Sequence, residues 1–402
     1  MSWPLVKLND VAEFIRNGAS IKQYSDAHGL RITRIETIAD RVVNLDKCGY
    51  ANLNSDEYRD YRLKKGDILI SHINSEKHLG KCAIFEHSFS DVVHGMNLLC
   101  FRSNEKIEAK FLFYYLSSKR FLYLLPNITK KSVNQASFTV TNFKELEIPL
   151  PPLKEQQRIA AILDKADAIR QKRKQAIELA DDFLRSVFLD MFGDPVTNPK
   201  GWEVKPLKDG ISKITSGWSA KGDNQPCSEN ELGVLKISAV TSGTFKPEEN
   251  KLVDDSLIPV GKKLLFPRKG DLLFSRANTR ELVGATCIVP TDFNNVFLPD
   301  KLWNVELSKE YLVPEYLHML LRDDKFKDTL TSQATGSSGS MLNISKQKFE
   351  STLAPFPSLA LQLKFKDIYW KLLVSRNLND ESKTCLDEQF NSLSQKAFSG
   401  QL

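Results

Sequence analysis

The sequence predicts an α+β protein built from two similar globular modules and two long helices that pack as an antiparallel coiled coil. Three observations support this prediction. The chain repeats itself after about 200 residues, since Trp3 and the segment 65–71 are matched by Trp202 and the segment 269–275. Each copy opens with short β-rich runs, and each closes with a long stretch that has helical apolar spacing. Two such copies indicate two related tasks at two places on one partner.

Length and composition are those of a globular protein. A chain of 402 residues has room for two or three domains with their own cores. Its content of 41% hydrophobic and 26% charged residues is ordinary for a folded protein. The net charge of +6 permits nucleic-acid binding, but it does not indicate such binding by itself.

The cysteines indicate a reducing compartment. The six cysteines include no Cys-x-x-Cys pair and no spacing typical of zinc ligands. No secretory signal precedes Trp3, and no apolar run approaches the ~18 residues that cross a bilayer. We therefore expect reduced cysteines, no membrane association and a cytoplasmic location.

The first module is predicted over residues 1–150 and the second over residues 194–357. In the first, β-rich runs occur at 67–70, 82–85 and 98–101; in the second, they occur at 271–274, 285–289 and 302–305. A short amphipathic helix follows in each copy. Its apolar face is formed by Phe111, Leu112, Tyr115 and Leu116 in the first copy, and by Tyr316, Leu317, Leu320 and Leu321 in the second.

A long helix is predicted over residues 151–193, between the two modules. Proline at 149, 151 and 152 suits a helix start, no Gly or Pro interrupts residues 155–192, and Gly193 with Pro195 ends the pattern. About 40 residues make a rod of about 60 Å. Steps of three and four predict a seam for a helical partner. Its members are Ile159, Ile162, Ala166, Ile169, Arg173, Ala176, Ala180, Phe183 and Val187.

The second copy ends with a matching helix, predicted over residues 358–402. Its apolar positions are Phe365, Ile368, Leu372, Leu386 and Leu393, and its polar middle at 375–383 weakens the seam. Two long helices with related seams in one chain would most simply pack against each other.

No catalytic signature is found in the sequence. It lacks a phosphate-binding loop, a dinucleotide fingerprint, the tetrad of an adenine methyltransferase and a nucleophile elbow. The six histidines do not have the spacing of metal ligands. Glu108-Ala109-Lys110 looks like a fragment of a nuclease site, but it has no matching Pro-Asp, so a structural role is predicted. We therefore predict a non-catalytic chain that binds no metal.

Polar loops at equivalent places in the two copies are the candidate recognition surfaces. Asn, Arg, Lys and His side chains hydrogen-bond base edges and phosphates. The loops recur while their sequences differ, as expected for related modules that read different targets; for any single residue, exposure to water alone also explains the polarity. The candidates are His72, Asn74, Lys77, His78, Lys130, Lys131, Asn134 and Gln135 in the first module, and Arg276, Asn278, Thr279, Arg280, Gln333, Thr335, Ser337 and Ser338 in the second.

The segment 148–159, with its Pro-Leu-Pro-Pro-Leu-x-Glu-Gln core, resembles the start of the central conserved helix in specificity subunits of type I restriction–modification enzymes. The two Gly-Asp-x-Leu-x-Ser strands and the tandem arrangement agree, and the resemblance covers essentially the whole chain. The second copy departs from this pattern, because the segment 357–362 keeps only the proline and a glutamine.

The resemblance implies two target recognition domains, each reading one half of an interrupted DNA sequence. It also implies that the two helices space these domains and dock two modification subunits. Those partners would bind S-adenosylmethionine and methylate adenine, while restriction subunits would use ATP and Mg, so this chain is expected to bind no cofactor. The candidate partner contacts are Ile159, Ile162, Ile169, Arg173, Phe183, Ile368, Leu372 and Leu386.

Two other functions stay open from the residues alone. In one, the modules bind protein and the chain is an adaptor. In the other, the chain is a nuclease that uses Glu108 and Lys110.

Overall fold

The computed structural model describes residues 3–24, 26, 28–39, 41–54, 56–89, 91–133, 135–332 and 342–402, without the side chains of 375–384. The chain forms two compact units. The first unit contains residues 1–175 and 380–402, and the second contains residues 176–379. Each of the two long helices therefore contributes one end to each unit.

The first unit is built around a four-stranded antiparallel sheet. The order of its strands is Ala12–Asn17, Leu98–Ser103, Ile68–Ser71 and Cys82–Ile84. The other strands of the unit are Leu5–Lys7, Leu30–Ile32, Gly49–Ala51, Ile73–Asn74, Val92–Val93, Lys130–Lys131, Ala136–Ser137 and Glu147–Pro149. Its helices are Ala109–Leu116, Lys119–Leu122, Val140–Lys144, the first part of Leu153–Phe192 and the last part of Leu359–Ser399.

The second unit repeats this topology. Its four-stranded sheet has the order Ile211–Ser216, Leu302–Leu307, Leu272–Ser275 and Thr286–Ile288. Its other strands are Glu203–Pro206, Leu232–Leu235, Asn250–Val253, Ala277–Asn278, Val296–Phe297, Leu342–Asn343 and Leu353–Phe356. Its helices are Ser238–Thr241, Pro314–Arg322, Asp324–Thr331, Lys346–Ser351, the last part of Leu153–Phe192 and the first part of Leu359–Ser399. The predicted repeat is thus confirmed in the strand order of the two four-stranded sheets, and the two strands that close each module also correspond.

The repeated Gly-Asp motif is a turn that leads into the central part of each sheet. Gly66 and Gly270 have positive φ angles of 94° and 88°, a conformation that glycine adopts without strain. The aspartate that follows closes the turn: a side-chain oxygen of Asp67 accepts from the backbone N–H of Lys64 at 2.7 Å. Asp271 accepts in the same way from Arg268 at 2.8 Å. The motif therefore recurs for a structural reason.

The strand after this turn is buried on both of its faces. Ile68 and Ile70 point into a core that contains Phe111, while Leu69 points into a second core that contains Phe85. Alternation along a strand produces this division, because successive side chains leave opposite faces of the sheet. Because both faces of the strand are covered, its residues are all apolar up to the closing serine. The second unit shows the same arrangement at 272–274.

The two long helices pack against each other in antiparallel fashion within the first unit. The Arg170 guanidinium lies 2.6 Å from Asp387, and Arg158 donates to the Leu402 carbonyl at 3.0 Å. Residue numbers therefore rise along one helix as they fall along the other. Within the second unit, the ring of Phe365 lies against the rings of Phe188 and Phe192. Gly193 ends the central helix with a φ of 80°, as predicted.

The phase of the predicted seam was wrong along part of the central helix. Ile159 is buried, but Ile169 and Phe183 are 52% and 55% exposed. The buried positions are instead Leu163 and Leu184, together with Phe188. The helix packs on the core of each unit as well as on the other helix, so its buried face does not follow a single heptad pattern.

Candidate nucleic-acid interface

In the first unit, the structure brings two of the predicted recognition loops together. The strand Ile73–Asn74 pairs with Ala136–Ser137, which in turn pairs with Lys130–Lys131. Segments more than 50 residues apart in the sequence thus meet in one small three-stranded sheet. An ion pair at 2.5 Å between Lys131 and Glu76 adds a side-chain contact between them.

The candidate side chains on this sheet differ in exposure. Lys77, Lys130, Lys131 and Gln135 are exposed, and Asn74 and His78 are partly buried. Exposed lysines can reach phosphates without further rearrangement, and such contacts supply affinity without sequence preference. Of these lysines, Lys131 already forms an ion pair, with Glu76.

His72 lies at a different kind of position from the one the sequence suggested. It was expected in a polar loop, but it is 4% exposed and packs edge-on against the ring of Phe138. Burial lowers the pKa of His72 to about 4, because the charged imidazolium would lose its hydration. The strand Ile68–Ser71 is buried on both of its faces, and His72 is the next residue in the chain, so it is buried as well.

The second unit places its counterpart residues on an equivalent strand. Ala277–Asn278 pairs with Leu342–Asn343, next to the segment 333–341. The Asn278 side chain accepts from the backbone N–H of Thr279 at 2.8 Å, just as Asn74 accepts from Ser75 at 2.8 Å. The asparagine therefore shapes the turn in both units. Thr279 is partly buried, while Arg280 is exposed.

Arg276 occupies the position that His72 has in the first unit. Its guanidinium lies 3.1 Å from the Asp300 carboxylate and donates to the Asp300 backbone carbonyl at 2.9 Å. About a third of the side chain is exposed. The aspartate holds the guanidinium in one orientation, and an oriented guanidinium is the group that recognises guanine edges with two hydrogen bonds.

Several candidates lie outside the residues that the structure describes. They are Asn134, Gln333, Thr335, Ser337 and Ser338.

Glu108 and Lys110 have structural partners rather than the arrangement of a nuclease site. Glu108 caps the helix Ala109–Leu116 by accepting from the N–H of Phe111 at 2.7 Å. Lys110 makes ion pairs with Asp164 at 2.6 Å and with Glu86 at 2.9 Å. Among the described residues, no group of three or more His, Cys, Asp and Glu side chains could hold a metal ion.

A buried glutamine at the start of each long helix was not recognised from the sequence as a functional position. Gln156 donates to the carbonyls of Pro151 and Lys106 at 2.8 and 3.1 Å, and it accepts from the N–H of Glu108 at 2.8 Å. Gln362 repeats all three bonds, with Pro357, Tyr311 and Val313 as partners. The sequence signal was a glutamine five residues after a proline in both copies.

Each glutamine therefore joins a long helix to the short amphipathic helix of its module. The second copy lacks most of the Pro-Leu-Pro-Pro-Leu-x-Glu-Gln core, yet it has the two residues that make this junction, Pro357 and Gln362. The rest of the core is therefore not needed for the junction between the helix and its module.

No helix in the described part of the chain is long and apolar enough to cross a membrane.

Two repeated α+β modules, each with polar residues gathered on a small sheet and each attached to long helices, define a tandem recognition protein. A family model for the type I restriction modification DNA specificity domain matches residues 2–179. The chain is 40% identical over 297 residues to a Methanocaldococcus jannaschii protein described as a type I restriction enzyme MjaX specificity subunit; this match covers 66% of the chain and 69% of the relative. The chain therefore belongs to the family of type I restriction enzyme specificity subunits, whose members are the non-catalytic subunits that determine DNA sequence specificity.

More distant similarities extend over more of the chain. The Escherichia coli K12 EcoKI specificity subunit is 23% identical over 363 residues, covering 85% of this chain and 76% of that protein. The crystal structure of a type I restriction–modification S subunit from M. genitalium matches with a TM-score of 0.59 at 14% identity. This match covers 99% of this chain and 96% of that chain, and it shows that the fold is shared.

Proposed function

We propose that each module reads one half of an interrupted DNA sequence, and that the two long helices set the spacing of the halves. One observation carries this proposal. The two modules share their topology, but an exposed position of the equivalent loops carries opposite charge: the residue two places after the shared asparagine is Glu76 in the first module and Arg280 in the second. Modules that bound the same feature twice would have no reason to differ there.

The charged groups on the small sheets suit DNA. Lys77 and Lys130 are exposed in the first module and Arg280 is exposed in the second, so phosphate contacts from these side chains need no rearrangement. Arg276 and Asn278 carry the donors and acceptors that major-groove base edges match. Phosphate contacts would place each module on the duplex, and the more buried polar groups would select bases.

The partners in this proposal are two modification subunits and the restriction subunits. Ile169, Leu179 and Phe183 are each more than half exposed on the central helix, and Leu179 and Phe183 lie one turn apart, so they form an exposed apolar pair. A docked modification subunit would cover them. In this scheme S-adenosylmethionine, ATP and Mg are bound by the partner subunits, and the complex works in the cytoplasm.

The experiment is to sequence methylated DNA from a methylation-free host that expresses this chain with its modification subunit. We expect N6-methyladenine in a two-part motif with a fixed gap, and we expect its loss when this chain is omitted. The host with the modification subunit alone is the matched control. A continuous motif would contradict reading by two modules. Absence of methylation, with a partner that binds S-adenosylmethionine and co-purifies with this chain, would contradict the function itself.

A further inference from the structure

The same pair of positions meets in both units, but with different chemistry. The second residue of the helix Ala109–Leu116 is Lys110, and it contacts Asp164 on the central helix. The second residue of the helix Pro314–Arg322 is Glu315, and it contacts Trp370 on the C-terminal helix. The buried glutamine junctions confirm this equivalence, because Asp164 and Trp370 each lie eight residues after the junction glutamine of their own helix.

In the first unit, the charges at this place are satisfied within the chain. A groove of about 430 Å³ is lined by Lys110, Asp164 and Glu86. The Lys110 ammonium lies within 3 Å of both carboxylates, and the Tyr114 hydroxyl donates to Asp164 at 2.7 Å. Every one of these ionised groups has a partner of opposite charge in the same groove.

In the second unit, a buried carboxylate has an oxygen without a hydrogen-bond partner. Glu315 is 2% exposed and lines a pocket of about 650 Å³ together with Lys366 and Trp370. Its Oε1 accepts from the Trp370 indole N–H at 2.5 Å, while its Oε2 accepts no hydrogen bond. The Lys366 ammonium lies 3.9 Å from Oε1, and its side chain is 44% exposed. At that distance the Lys366 ammonium does not donate a hydrogen bond to the carboxylate, so Oε2 has no donor.

An acceptor of this kind lowers the stability of the folded chain, because burial removes its hydrogen bonds to water and no protein donor replaces them. A ligand that donates to Oε2 would recover this loss. The apolar part of the pocket wall includes the Trp370 ring, Leu373 and Val374, which is 59% exposed, and Lys269 also borders the pocket. A guanidinium suits both features, since it donates hydrogen bonds in its plane and stacks its face on an aromatic ring.

We propose that the pocket around Glu315 binds an arginine side chain of the modification subunit that docks beside the C-terminal helix. This proposal rests on the proposed function, which supplies the docking partner. It goes further in making the two docking positions unequal, because the carboxylates of the first groove already form ion pairs within the chain: Asp164 and Glu86 with Lys110, and Asp167 with Arg170. The same surface of the modification subunit would therefore contact two chemically different sites on this chain.

The pocket can be tested directly on the full chain, without a partner. The probe is methylguanidinium, with tetramethylammonium at the same ionic strength as the matched salt. Tryptophan is replaced with 5-fluorotryptophan, and the fluorine signal of Trp370 is assigned with Trp370→Phe. We expect a saturable shift of that signal with methylguanidinium only, half-complete at a concentration on the order of millimolar. The buried Trp303 signal should not move. Equal responses to both salts, or no response, would overturn the proposal.

The assembly test uses Glu315→Gln, which keeps the acceptor for Trp370 but removes the charge. Glu310→Gln, an exposed position in the same unit, is the matched control. We expect native mass spectrometry of the co-expressed complex to show two modification subunits per chain for wild type and Glu310→Gln, and one for Glu315→Gln. Two partners on Glu315→Gln, with methylation intact, would overturn the inference and leave the proposed function standing. A wild-type chain that binds no partner would instead contradict the proposed function, and the fluorine experiment would still decide the chemistry of the pocket.

Discussion

Replacing Gln156 with methionine should destabilise the first unit by about 3 kcal/mol. Methionine has a similar volume, so no large cavity is left, and the loss is confined to hydrogen bonds. The change removes three of them and leaves the N–H of Glu108 and the carbonyls of Lys106 and Pro151 unpaired. Gln156 is 1% exposed, so water does not replace the lost partner. At about 1 kcal/mol for each bond, the sum is about 3 kcal/mol.

The measurement is the thermal and urea unfolding of the full chain. For a unit of this size, each kcal/mol lowers the Tm by about 2–4 °C, so the transition should move by about 6–12 °C. Hydrogen–deuterium exchange of peptides that contain the helix Ala109–Leu116 locates the effect. Gln157→Met is the control, because Gln157 is the exposed neighbour on the same helix.

The repeat supplies a second comparison. Gln362 makes the same three bonds and is fully buried, so Gln362→Met should cost as much in the second unit as Gln156→Met costs in the first. If Gln156→Met behaved like Gln157→Met, the glutamine would not be what holds the long helix on its module. The reasoning would also be refuted by a cost that differed severalfold between the two junctions.

Three further predictions concern recognition and pH. Lys130→Ala should weaken DNA binding evenly across sequences and reduce the salt slope of log K by about 1, measured by filter binding at several salt concentrations; an unchanged slope would mean no phosphate contact. Arg276→Ala should relax the motif in one half-site only, by about 1–3 kcal/mol of discrimination, as read from methylated DNA; an unchanged motif would remove Arg276 from base reading. Burial lowers the pKa values of His72 and His94 to about 4, against an ordinary 6.5. Between these pH values the unfolded chain binds more protons than the folded chain, so the first unit loses stability as the pH falls from about 6.5 to about 4. Urea midpoints should therefore fall from pH 7 to pH 5, with a shallower fall in His94→Gln.

The large-scale architecture could be predicted from the sequence because it leaves periodic signals. The internal repeat, the Gly-Asp turns and the uninterrupted helical stretch at 155–192 all depend on local residue types. The helix Leu153–Phe192 and the sheet strands at 68–71 and 272–275 follow these signals closely. The meeting of the two loops in the first unit was not visible, since it depends on pairing between distant short strands.

Burial and side-chain partners were harder to predict. The sequence predicts His72 in a loop, and its burial is explained only by the apolar strands that surround it in the fold. Ile169 and Phe183 fit a heptad, but the cores of the units select Leu163 and Leu184 instead. The carboxylate of Glu315 gave no signal, because its partner Trp370 lies 55 positions away on another helix.

Each module is closed by its own first and last strands. Leu5–Lys7 pairs with Glu147–Pro149, and Glu203–Pro206 pairs with Leu353–Phe356, in the same antiparallel register. We call each strand pair a clasp, because it holds the two ends of its module together. The junction glutamine lies in the first turns of the long helix that follows the second strand of each clasp. A foreign insert would need a compatible clasp and, at the start of its short amphipathic helix, backbone groups that bond the junction glutamine of its host. Recombination with breakpoints at the clasps could therefore exchange what one module reads and leave the helices untouched.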